Sequence, residues 1–210
     1  MNSATTRVLS ALVLIPLLVA LIWWAPERVF QVVLAVALGL AATELKSLVD
    51  NAAAFIALTI IYLGAPLFMF SDIRTQHGPG ALMIVIGVII VSDSAQYYTG
   101  RAFGKRKLAP VISPKKTVEG AIGGLMIGSL AAVGFGRLWP VGLSDGMMLA
   151  AGLAISIAGI LGDLFESALK RRAGKKDSGT LIPGHGGILD RIDSWLFAAP
   201  VFWLILRITR

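Results

Sequence analysis

Residues 162–193 read GDLFESALKRRAGKKDSGTLIPGHGGILDRID, with an aliphatic run on either side. Five carboxylates and six Lys or Arg stand in this one stretch of a chain that is 56% hydrophobic and only 15% charged. Asp163, Glu166, Ser167 and Lys170 follow an i, i+3, i+4, i+7 spacing, so on a helix they share one face. Asp190 and Asp193 flank Arg191 at the mouth of the next apolar run. The segment KKDSGTLIPGHGG between them is punctuated by Gly and Pro and cannot continue a helix. Carboxylates facing one another across a basic, glycine-rich loop suit a divalent cation and a phosphorylated substrate.

Outward from this stretch the chain is apolar. A soluble domain carries about 25% charged residues, and several runs here approach the roughly 20 residues that cross a bilayer. The expected fold is all-α, a polytopic transmembrane helical protein of about seven spans. The runs are residues 8–24, 29–45, 52–70, 81–98, 118–138, one from Met147 into the Asp163 face, and 195–208. Strand alternation of the outer-membrane barrel kind is absent. The first run ends in Trp23-Trp24 without a small-residue cleavage site and reads as a retained span, not a signal peptide. Residues 71–80 form a polar link, and residues 118–138 are rich in Gly, which allows close helix packing. Residues 1–80 are read as amino-terminal transmembrane helices for packing and lipid contact. Residues 81–210 are read as a catalytic transmembrane region with loops 100–116 and 170–193.

The absence of Cys excludes disulfides, thiolate nucleophiles and cysteine-ligated metals. A net charge of +7 would suggest nucleic acid in a soluble protein. Here topology explains it, and no nucleic-acid partner is expected. With the amino terminus inside, fourteen of the nineteen Lys and Arg fall in cytoplasmic segments, as the positive-inside rule favours. Nine of the twelve carboxylates fall on the same side. Acidic residues contribute little to orientation, so their clustering points to a cation-binding polar site at the inner interface.

Each candidate also has a plain structural reading. Asp93 lies near the end of its span and alone would simply mark the membrane boundary. Asp163 and Glu166 opposite Asp190 and Asp193 need a counter-cation, for which Lys170 or Arg171 would serve in place of a metal. Residues 113–120, SPKKTVEG, read as a helix start: Ser113 as cap, Pro114 in the first turn, Glu119 near the positive end of the dipole. With Lys115 and Lys116 beside it, that start is equally an anion site; it is not a P-loop, because the Gly spacing differs. His185 alone is a loop hydrogen-bonder, while Gly186-Gly187 let backbone amides approach a phosphate. The basic residues of 170–176 also suit anionic lipid. No Gly-x-Ser-x-Gly elbow supports hydrolase chemistry.

These residues resemble the phosphatidate cytidylyltransferase (CDP-diacylglycerol synthase) family. The match lies in Ser167-Ala168-Leu169-Lys170-Arg171, Lys176-Asp177, His185-Gly186-Gly187 and Asp190-Arg191-Ile192-Asp193, at the family's spacing. Upstream, Asp93 to Arg101 followed by Phe103-Gly104-Lys105, and Ser113-Pro114 with Lys116-Thr117 and Glu119-Gly120, agree as well. The resemblance covers roughly residues 90–195. It implies an Mg²⁺-dependent enzyme of the inner (cytoplasmic) membrane, with its site facing the cytoplasm, that transfers CMP from CTP to phosphatidate. It leaves room for a second cation and for a homodimer. In this reading Asp163 and Asp190 hold the metal, and Asp93, Glu166 and Asp193 shape or complete its site. Lys116, Lys170 and Arg171 bind phosphates, with Ser113, Thr117, Ser167, Lys176, His185, Gly186, Gly187 and Arg191 as further substrate contacts.

Two departures stand out: the amino-terminal half is shorter than is usual in the family, and Gln96 replaces a small residue. The rival readings are an enzyme acting on another lipid phosphate or a polyprenol, a catalytically inactive shortened paralogue serving as a membrane scaffold, and a transporter.

Overall fold

A computed structural model describes residues 3–181 and 186–209, with side chains from Leu12 onward. It is mostly helical. Helices α1 (Ser3–Trp24) and α2 (Glu27–Lys46) are joined by a tight corner. Asn51 caps α3 (Ala52–Leu58), accepting from the Ala54 amide at 2.9 Å, and a π-helical turn (Thr59–Gly64) leads into α4 (Ala65–Phe103). A hairpin of β1 (Lys107–Ala109) and β2 (Ser113–Thr117) precedes α5 (Val118–Leu138), α6 (Asp145–Arg172) and α7 (Leu189–Ile208).

Each predicted run is helical, the third crossing α3, the π-helical turn and the start of α4. Among the described residues, four helices are long and apolar enough to cross a membrane: Glu27–Lys46, the continuous Ala52–Phe103, Val118–Leu138 and Asp145–Arg172. At 1.5 Å per residue the second would far exceed the bilayer thickness. It is divided at Gly78, whose φ of 83° and ψ of 170° are non-helical, with Pro79 next in the chain. The polar link expected at residues 71–80 is therefore helical up to that break.

A second correction concerns residues 113–117. Ser113 does not start a helix; it pairs with Ala109 across the antiparallel hairpin, and Lys107 pairs with Thr117. The cap is Thr117, whose extended backbone and hydroxyl, accepting from the Gly120 amide at 3.1 Å, satisfy the first turn of α5. Glu119 accepts from the amides of Lys105 and Arg106 at 3.0 and 3.2 Å, which ties the entry of the hairpin to α5. Ser and Thr share capping chemistry, and the end of the strand at Thr117 decided between them.

The core lies along the second half of α4, where Leu82, Ile84, Val85 and Val88 are fully buried against α5, α6 and α7. Gly128 of α5 faces Ser92 of α4 and Ser156 of α6 so closely that a Cβ would collide with them. That contact brings α4, α5 and α6 together. Polar contacts then collect at the two ends of the bundle. At one end Arg74 donates to the Ile22 and Ala25 carbonyls and stacks over Phe30, while Asp72 accepts from Trp203 at 2.7 Å and pairs with Arg207 at 3.0 Å. The other end carries the candidate site.

Candidate active site

The helical face predicted on α6 forms. Ser167 donates to Asp163 at 3.2 Å, and Lys170 forms an ion pair with Glu166 one turn earlier. Lys170 also reaches across to α7, where its ammonium lies 2.5 Å from Asp190 Oδ1. Glu166 is wholly buried and Lys170 nearly so, so one ammonium is shared by two carboxylates away from bulk water. The other oxygen of Asp190 accepts from the Ser178 amide at 3.0 Å and the Gly187 amide at 2.9 Å. Burial alone would raise the Asp190 carboxyl; the bonds from Lys170, Gly187 and Ser178 outweigh it and hold the group at about 2. Asp190 thus stays ionised and closes the loop onto α6.

Asp163 looks toward a different partner. Its carboxylate pairs with Lys116 at the end of β2, and both line a cavity of about 380 Å³ with Asp93, Gln96, Arg101 and Lys115. Gln96, the residue that departs from the family pattern, donates to Asp93 at 2.9 Å. Asp193 is buried on α7, with its backbone packed against Gly162 of α6, next to Asp163 in the chain.

Asp93, Lys116 and Asp163 are therefore brought together, and so are Glu166, Lys170 and Asp190. Other predicted contacts stand apart. Arg171 donates to the Lys175 carbonyl at 2.6 Å and closes its own turn; Lys176 and Arg191 are exposed. Ser113 and Thr117 serve the hairpin and the α5 cap. Gly186 has a φ of 84° and Gly187 donates to Asp190, whereas His185 lies outside the described residues. Among the described residues no group of three or more His, Cys, Asp or Glu is close enough to hold a metal ion. Mg²⁺ does not need such a cage, because it takes one or two carboxylates and completes its shell with water and phosphate oxygens. Asp93 and Asp163, oxygen donors on one open cavity beside two lysines, fit that requirement. Asp163 and Asp190, read from the sequence as the two ligands, each have both oxygens engaged, Asp163 by Ser167 and Lys116, Asp190 by Lys170 and the loop; of the two, Asp163 lines the cavity.

Two residues of the amino-terminal half escaped sequence reasoning. Tyr62, on the π-helical turn, packs edge-on against Phe165 of α6 and Phe197 of α7, with ring centroids 4.9 and 5.9 Å away. Its buried hydroxyl has no hydrogen-bond partner among the described residues. Glu44, near the end of α2, is buried and accepts from Ser178 Oγ and from the Ile188 and Leu189 amides. The signal for Glu44 was an ionisable residue closing an apolar run, which is costly unless it has a partner.

Residues 50–209 match the Cytidylyltransferase family. The chain belongs to this family. Within it, the chain is 44% identical over 156 residues to the phosphatidate cytidylyltransferase of Bacillus subtilis (strain 168), a match covering 73% of this chain and 58% of that protein. The phosphatidate cytidylyltransferase of Staphylococcus aureus (strain COL) is 38% identical over 154 residues, covering 73% of this chain and 59% of the relative. A third relative, the uncharacterized protein YnbB of Escherichia coli (strain K12), is 43% identical over 141 residues, covering 67% and 47%. The chain thus spans somewhat more than half the length of the first two and just under half of the third. The family match contains every predicted site residue but begins after Glu44.

Proposed function

We propose that this chain transfers CMP from CTP to phosphatidate, forming CDP-diacylglycerol and pyrophosphate, at the cytoplasmic face of the inner membrane. The observation that carries the reading is the α6 face. One side of it turns Asp163 to Lys116 and an open cavity, and the other holds Lys170 between Glu166 and Asp190. A triphosphate needs cationic groups beside a carboxylate-lined opening, and an acyl-chain substrate needs an apolar body; both are present. The orientation is supported by the Lys and Arg asymmetry, which favours the hairpin and the 173–188 loop on the cytoplasmic side.

In the reaction, a phosphatidate phosphate oxygen attacks the α-phosphorus of CTP. The bond from that phosphorus to the oxygen bridging the β-phosphate breaks, and pyrophosphate leaves. No side-chain nucleophile is needed, because the attacking phosphate is already ionised. Lys116, beside the amino end of α5, and Lys115 bind phosphate oxygens, and the helix dipole adds to their effect. Asp93 and Asp163 would hold Mg²⁺, which supplies positive charge against the charge developing on the leaving group. Lys170 stays protonated between its two carboxylates, and Asp190 keeps the Gly186-Gly187 segment in place for a phosphate.

The test is pyrophosphate release by the purified full-length chain given CTP, phosphatidate and Mg²⁺. Release that requires phosphatidate supports the reading. A different lipid phosphate as acceptor is the second reading. Release with a polyprenyl phosphate alone would establish that second reading. No release with any acceptor would favour the inactive scaffold.

A further inference from the structure

The amides of Ile188 and Leu189 open α7, and Ile188, at the capping position, has no side chain able to accept from them. Both are satisfied from another helix. Glu44 Oε1 accepts from Ile188 at 3.0 Å and Glu44 Oε2 from Leu189 at 2.9 Å, across more than 140 residues of chain. Oε2 also lies 2.9 Å from the hydroxyl of Ser178, which stands 3.0 Å from Asp190 on its other side. Glu44 is 8% exposed, and a Cβ at Gly179 or Gly187 would collide with its carboxylate, so the loop backbone is closed around it. A second tie lies beside it: Lys175 donates to the Ser47 carbonyl at 2.9 Å, just past the end of α2.

We propose that Glu44 is a positioning residue, a cap on α7 supplied by α2. In that role it fixes the segment from Gly186 to Asp190, and through Asp190 the ammonium of Lys170. A buried carboxylate at the end of its own helix faces a negative dipole end, and the positive amino end of α7 compensates it. Three donors around one loop, and no ion pair with Lys or Arg among the described residues, suit a carboxylate that shapes backbone. The placement of Glu44 stands on geometry alone, and its kinetic consequence rests on the proposed cytidylyl transfer.

Glu44→Gln keeps the shape but turns one acceptor oxygen into a donor facing donors. In the full-length chain in detergent, hydrogen–deuterium exchange at the Ile188 and Leu189 amides should accelerate roughly tenfold, the scale of losing a charged capping bond. The KM for CTP should rise by a similar factor in the protein that folds. Phe30→Ala, a buried change at the other end of α2, should lower the folded fraction and leave both readings where they are. If Glu44→Gln does not accumulate, Ser178→Ala removes one of the three donors and should move both readings in the same direction by less. Unchanged exchange would overturn the placement. Faster exchange with unaltered KM and kcat would make Glu44 a structural cap only and overturn the positioning role. If the wild-type chain itself releases no pyrophosphate, the proposed reaction falls, and exchange alone decides whether Glu44 holds the loop.

Discussion

Between Leu12 and His77 the chain sends one buried carboxylate, Glu44, and one buried phenol, Tyr62, to the polar end of the bundle. Between Pro79 and Ile208 it sends Asp93, Lys116, Asp163, Glu166, Lys170, Asp190 and Asp193 to the same end. The later group is tied into ion pairs, with Lys116 on Asp163 and Lys170 on Glu166 and Asp190. Among the described residues the earlier pair makes no ion pair: Glu44 accepts from backbone amides and a hydroxyl, and Tyr62 packs on two Phe rings. The later region thus carries the charge that chemistry needs, while the earlier one shapes the backbone and packing that hold it. Charge matched within α6 and across to α7 is written as a motif. A single acceptor docking on a loop is not.

The largest expected effect is at Lys170, whose loss strands two carboxylates. Lys170→Met should destabilise the protein by ~3–5 kcal/mol, the usual result of removing one partner of a buried pair. Adding Glu166→Gln should restore part of that stability, since it removes one of the stranded charges. Thermal unfolding of both variants in detergent measures this, and equal stability of wild type and Lys170→Met would break the account of the later region. Asp163→Asn comes next and tests charge at nearly constant size. Turnover should fall by ~100-fold, on the scale of losing a principal electrostatic group. Expression should hold, because Asn keeps an amide oxygen beside the Lys116 ammonium and Asp163 is itself partly exposed.

A smaller contrast is expected between two lysines. Lys116→Ala should raise the KM for CTP about tenfold, the cost of one charge-assisted phosphate contact. Lys46→Ala, in the earlier region and outside the site cavity, should change it little. Equal effects would mean that the Lys116–Asp163 pair is only structural. The smallest effect is expected from Tyr62→Phe. Deleting a buried hydroxyl without a partner costs no hydrogen bond, so stability and turnover should stay within about twofold. A large loss of turnover there would place the phenol on substrate and erase the contrast between the regions.

Much of this was legible from short-range pattern. The apolar runs marked the helices because a bilayer-crossing segment must satisfy its backbone internally. The i, i+3, i+4, i+7 set from Asp163 to Lys170 could only share a face once residues 145–172 were helical. The match to the family's residues likewise needed no coordinates. The tertiary structure alone decided which partner each charge takes. Sequence spacing left Asp163 and Asp190 free to face each other; the junction of β2 with α5 brought Lys116 to Asp163, and the loop after α6 brought two amides to Asp190, which also meets Lys170. The cap on α5 moved from Ser113 to Thr117 because the hairpin keeps residues 113–117 extended, so the helix starts only after Thr117. Glu44 meets its donors across more than 130 residues, a separation at which neither periodicity nor motif carries information. Hydrogen-bond donors in an apolar interior must find acceptors wherever the fold brings one within reach, and that requirement is met in space, not along the chain.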